Sequence, residues 1–108
     1  MKRHVICLGD SNTHGYCGAQ EGETLCGGRF SEAERWPCLL QRALGEEYLV
    51  IEEGLCGRTT VFPDPLEPGL DAISYLRPCL LSHTPVSLLI LMLESVLATV
   101  ICSFAATP

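Results

Sequence analysis

Basic residues are scarce in this chain: seven lysines and arginines stand against thirteen aspartates and glutamates among 108 residues, a net charge of -6. A surface of that sign repels phosphate backbones, so nucleic acid is excluded as a partner while a neutral small molecule stays open. Length is also short. One small domain fits, whereas complete doubly wound α/β domains usually run longer. No Cys-x-x-Cys pair occurs, although Cys7, Cys17, Cys26, Cys38, Cys56, Cys79 and Cys102 make seven cysteines. Their odd number and mostly apolar surroundings read as reduced, core-type thiols of a cytoplasmic protein. A secretory h-region is missing too, because the apolar run after Lys2 and Arg3 ends early at Asp10. The aspartates are only Asp10, Asp64 and Asp71, and none stands three residues before a histidine.

What is present begins with Val5-Ile6-Cys7-Leu8, an apolar run short enough for a buried strand, stopped by the turn Gly9-Asp10-Ser11-Asn12. In open α/β sheets ligand sites collect at the carboxyl ends of strands, which is where this turn puts the Ser11 hydroxyl. Asp10 is read as organising the turn by accepting backbone N–H groups. Tyr16 to Arg35, rich in glycine, reads as a long irregular loop. Ser31 with Glu34 forms a capping box, and Trp36, Leu39, Leu40, Ala43 and Leu44 recur at helical spacing until Gly45 stops the helix. Tyr48-Leu49-Val50-Ile51 is a second strand, closed by Glu52, Glu53 and Gly54. After the proline-rich loop Val61 to Gly69, a helix is predicted within Ala72 to His83 with Pro78 in its first turn. Leu88 to Leu93 is apolar throughout and suits a central parallel strand. Three parallel strands joined by two crossovers make the N-terminal half of a flavodoxin-like α/β sheet.

The loop after the second strand, Glu52-Glu53-Gly54-Leu55-Cys56-Gly57-Arg58-Thr59-Thr60, should face the Ser11 loop across the same sheet edge. A glycine there lets a backbone N–H approach a substrate closely, and Gly57 fits that need. The Gly-Asp-Ser turn resembles the first block of the GDSL, or SGNH, family of serine esterases. The further set Arg29-Phe30, Arg35-Trp36, Glu52-Glu53-Gly54-Leu55, Arg58-Thr59-Thr60, Asp64-Pro65 and Tyr75-Leu76 is similar to its bacterial arylesterase branch. The resemblance implies Ser11 as nucleophile, with the N–H groups of Ser11 and Gly57 holding an oxyanion and Asp10 and Asn12 in support. It implies hydrolysis of small esters by acyl transfer, with no metal and no organic cofactor.

The resemblance covers roughly residues 4 to 93. Residues 1–93 therefore read as the N-terminal portion of an SGNH domain, and 94–108 as an apolar tail that leaves the pattern. Where the family places Gly-x-Asn-Asp, this chain has Glu94-Ser95-Val96-Leu97, and Val96 offers no side-chain donor. The family's Asp-x-x-His does not occur in the 108 residues, so no triad Asp or His is assigned, and a truncated, inactive or very weak esterase is expected. His14 follows Ser11 by three residues, but a base must be oriented by a third group and none is evident. Ser11 as a simple helix cap is the bland alternative. Cys56, beside Gly57, has no His or helix start identified next to it, so a reactive thiol is not expected. Glu52 and Glu53 would raise each other's pKa only if both were desolvated, and Arg58 either steers a carboxylate or bonds its own loop. Two other classes remain. One is a non-catalytic module that pairs its exposed third strand with another protein, or a homo-oligomer. The other is a membrane-attached chain using Val86 to Ala106, against which Glu94 argues.

Overall fold

The computed structural model describes residues 2–18, 28–93 and 98–103. In chain order its elements are β1 (Arg3–Gly9), α1 (Ser11–His14), β2 (Tyr16–Gly18), β3 (Gly28–Arg29), α2 (Trp36–Leu44), β4 (Tyr48–Gly54), α3 (Ala72–Ser82), β5 (Val86–Leu93) and β6 (Ala98–Ser103). The apolar run Val5–Leu8 lies in β1 with no more than 1% of any side chain exposed. Burying each such residue contributes about 1.5–3 kcal/mol, enough to make this strand the axis of the sheet. Strand order is β4-β1-β5-β6. Both neighbours of β1 are parallel to it, as the sequence predicts, with Gly9 opposite Gly54 in β4 and Met92 in β5.

The fourth strand alters one expectation. β6 pairs antiparallel with β5 from Leu88↔Ser103 to Leu93↔Ala98, so the outer edge of β5 is already hydrogen-bonded rather than open to another protein. The same pairing replaces the membrane-spanning reading of Val86 to Ala106 with two strands. Among the described residues no helix is long and apolar enough to cross a membrane.

Three boundaries shift for local reasons. The Ser31–Glu34 pair does form, with Ser31 Oγ donating to Glu34 Oε1 at 3.2 Å, but it closes a separate turn. α2 starts only at Trp36, where Pro37 in the first turn fixes a helical φ, and Gly45 at φ +82° ends it as expected. β4 runs through Glu52 and Glu53 to Gly54, because alternate residues of a strand point to opposite faces and each carboxylate finds its own partners. α3 begins well before Pro78: Asp71 caps it, Oδ2 accepting the Ser74 N–H at 3.0 Å, and Pro78 sits in the helix interior. The expected irregular loop contains the short antiparallel pair β2–β3, while its residues 19–27 lie outside the described set.

The core is Ile6, Leu8, Ala72, Cys79, Leu89 and Leu93, with Ile51, Tyr75, Leu76 and Leu91 packed on it, so α3 covers one sheet face. Toward the other side, Gln41 of α2 donates through Nε2 to Tyr48 O at 2.8 Å and accepts Val50 N–H through Oε1 at 2.8 Å. The Val61–Gly69 segment carries neither helix nor strand, as its prolines require. Its end returns to the body through a Thr59↔Asp71 bridge and the Ala72 N–H donating to Thr59 O at 2.7 Å.

Candidate active site

Because β1 and β4 are adjacent and parallel, the loops leaving them share one sheet edge. Ser11 is the first residue of α1, directly after β1, and is half-buried. Asp10 caps this short helix: its Oδ1 accepts the Asn12 N–H at 3.1 Å, and its carbonyl accepts the N–H groups of Thr13 and His14 at 3.1 and 3.0 Å. The cap is thus Asp10, and Ser11 is not consumed by that role. α1 is pressed onto the end of β4 so closely that a Cβ on Gly54 would collide with the His14 backbone. A Cβ on Gly9 would strike Thr13 and approach the Met92 carbonyl to 2.7 Å.

The second loop is tied to the first by main-chain and side-chain bonds. Leu55 N–H donates to Gly9 O at 3.2 Å, and Arg58 Nη1 donates to Gly9 O at 3.2 Å and also to Glu53 O. Arg58 therefore bonds the loop, which answers the question the sequence left open. It is 6% exposed, and its Nε has no partner among the described residues. Burial lowers its pKa, with Glu53 opposing. Gly57 has φ +84° with only Leu70 near its absent Cβ, so its glycine answers a backbone requirement and not a steric one.

Each of the three histidines has a partner other than Ser11. His4 Nδ1 pairs with His83 O at 2.7 Å. His14, flanked by Arg29, hydrogen-bonds to Gly54, and burial together with Arg29 lowers its pKa. His83 Nε2 meets Glu53 Oε2 at 3.0 Å. The pleat separates the adjacent acids. Glu52 receives Arg35 in a two-pronged contact at 2.8 and 3.3 Å, with Arg29 at 3.8 Å, and the Arg35 bond holds its carboxyl below the usual range. Glu53 points the other way, to Tyr75, Cys79 and His83. Burial there raises its pKa, but the three hydrogen bonds together outweigh burial and leave it lowered.

Cys7 and Cys79 match the core-thiol reading, burial pushing each to about 12, and Cys17 and Cys38 are free. Cys56 does not match it. It is disulfide-bonded. In an irregular loop, unlike a strand core, a thiol can be reached by another, and spacing alone did not reveal that. The segment Glu94-Ser95-Val96-Leu97, expected to lack the third oxyanion donor, lies outside the described residues. Two contacts escaped the sequence reading: Trp36 Nε1 donating to Thr13 Oγ1 at 3.3 Å, and Arg29 Nε donating to His14 O at 2.7 Å. Both brace α1 from segments 15 or more residues away, and only the paired Arg-Phe and Arg-Trp motifs hinted at them.

No protein-family model matches the chain, and no curated protein does. Solved structures do. The native aryl esterase of M. smegmatis superposes with a TM-score of 0.75 at 42% identity, over 84% of this chain and 41% of that one. Est24, a carbohydrate acetylesterase from Sinorhizobium meliloti, superposes with a TM-score of 0.76 at 40% identity, over 85% and 42%. The chain thus spans about two fifths of the length of these relatives. With its Gly-Asp-Ser turn at the end of β1 and its Glu-Glu-Gly-Leu segment at the end of β4, the chain belongs to the SGNH/GDSL family of esterases, whose N-terminal region it represents.

Proposed function

We propose that this chain carries the nucleophile-bearing part of a small-ester hydrolase, with Ser11 as nucleophile and the N–H groups of Ser11 and Gly57 as oxyanion donors. One observation carries the reading: the two loops leave adjacent parallel strands at Gly9↔Gly54 and are cross-tied through Gly9 O. In such a site the Ser11 oxygen bonds to the ester carbonyl carbon and its proton passes to a base. The alcohol then leaves with a proton, and water releases the acyl group by the same steps. Substrates are small esters of the aryl or acetyl class, by analogy with the relatives' aryl esterase and acetylesterase activities.

The base is the weak link. Each histidine has a partner other than Ser11, and a serine hydroxyl is a poor nucleophile at neutral pH without a base oriented to it. Alone, the 108 residues should hydrolyse an aryl acetate no faster than Ser11→Ala. Added imidazole supplies a diffusible base, so in its presence the native chain should exceed Ser11→Ala in initial rate. Equal rates of the native chain and Ser11→Ala in the presence of imidazole would refute Ser11 as nucleophile. Ser11-dependent turnover without imidazole, lost in His14→Ala, would instead show a local base.

A further inference from the structure

We propose that Glu53, Cys79 and His83 form a binding site for a divalent metal ion of the zinc class, between the end of β4 and the inner face of α3. Cys79 lies in the last turns of α3 and His83 is the residue that caps its C-terminus, four positions on, and both meet the Glu53 carboxylate. Glu53 enters from the strand opposite. One ligand atom from each of the three lies within 4.8 Å of the others. Glu53 Oε2 is 3.0 Å from His83 Nε2 and 3.4 Å from Cys79 Sγ. Tetrahedral coordination at ordinary zinc–ligand lengths requires edges of about 3.3 Å for N···O and about 3.5 Å for S···O. These two edges need to open by only a few tenths of an ångström, and the third, from Cys79 to His83, lies within 4.8 Å.

The donor set selects the ion. Thiolate, imidazole and carboxylate together suit zinc and its borderline neighbours, while magnesium and calcium prefer oxygen alone. Charge also closes. A carboxylate and a thiolate bring two negative charges and the imidazole none, so a divalent ion makes the half-buried site neutral. On binding, the metal replaces the Cys79 thiol proton, which goes to solvent, and takes the lone pair of His83 Nε2, the proton that this nitrogen donates to Glu53 being relocated to Nδ1 of the neutral ring. Glu53 gives up its bonds from Cys79 and His83 and retains the one donated by Tyr75 Oη at 2.8 Å, which orients the carboxylate. Burial and then Glu53 disfavour the thiolate in the metal-free site, and the Arg58 guanidinium, 5.0 Å over the Tyr75 ring, offsets part of this. Cys79 is fully buried, but the His83 and Glu53 side chains keep 28% and 19% exposure, which leaves an entry path and room for water as fourth ligand. The site is independent of Ser11 chemistry.

Cobalt(II) is the probe, because its thiolate complexes absorb in the near ultraviolet and its four-coordinate form absorbs in the visible. Metal-free chain, handled without oxygen or added thiol, should take up one Co²⁺ with both bands, release one proton per ion at neutral pH, and lose the bands when one equivalent of Zn²⁺ is added. Cys79→Ser should abolish the near-ultraviolet band, and His83→Gln should weaken binding at least tenfold with unchanged circular dichroism. Cys38→Ser, which alters a free thiol outside the cluster, should bind as the native chain does. No thiolate band, a band surviving in Cys79→Ser, or a band lost in Cys38→Ser would overturn the proposal. Should Cys79→Ser not fold, unchanged affinity in His83→Gln overturns it by itself.

Discussion

Gly54 and Gly57, three positions apart, are glycines for different reasons, and a single methyl group separates them. At Gly54 the obstacle is the backbone of His14, which cannot rotate away, so α1 or β4 must move. At Gly57 the surroundings are open and only the positive φ resists a side chain. Gly54→Ala should therefore cost about 3 kcal/mol, the upper part of the range for overpacking, and Gly57→Ala about 1 kcal/mol. Urea unfolding of the two variants checks the order, and a larger loss in Gly57→Ala would contradict this account. The sequence singles out Gly57 for close approach of its N–H to a substrate, whereas the positive φ is a second, conformational reason for glycine there. Gly54 as a contact point was not legible in the sequence, since its counterpart is 40 residues earlier in the chain. The Glu53 cluster was hidden for the same reason: Tyr75 and His83 lie 22 and 30 residues away.

Elements were legible where their signals were internal. β1 and β5 are continuous apolar runs, and Gly45 ends α2 by its own φ. α3 was harder, because Pro78 is best tolerated in a first turn and so argued for a late start. Asp71 overrode it with a side-chain cap, and the packing of Ala72, Tyr75 and Leu76 on the core holds the turn before the proline. A proline inside a helix removes one N–H bond and crowds the preceding turn, at about 3 kcal/mol. Pro78 is exposed, so Pro78→Ala leaves the core untouched. The variant should be more stable by about 1–3 kcal/mol, seen as a raised thermal midpoint; a lowered midpoint would show that the proline is needed where it stands. β4 was called short because charges usually end strands. Here both acids are satisfied, one on each face.

At the scale of the molecule the parallel order was readable from alternation of strand and helix patterns, and the antiparallel β6 was not, because an apolar tail carries no direction. The acidic surplus has a consequence for the whole chain in acid. Glu52 is held below its ordinary 4.5 chiefly by the Arg35 bond. A depressed folded pKa contributes stability above the unfolded value, and that contribution disappears as pH falls through the folded one. The urea midpoint should therefore drop between about pH 5 and pH 3, and in Glu52→Gln it should drop less steeply over the same range. Equal slopes would remove Glu52 from the acid transition.

The Gln41 side chain described above imitates a piece of main chain. Tyr48 O and Val50 N–H, two residues apart on the free side of β4, are the pair that one residue of an incoming parallel strand would engage. A primary amide offers the same acceptor and donor at the same separation, so Gln41 terminates the ladder there as a single counterfeit residue. The β4 edge is thereby capped at Tyr48 and Val50, so a further strand cannot pair there without displacing the Gln41 amide.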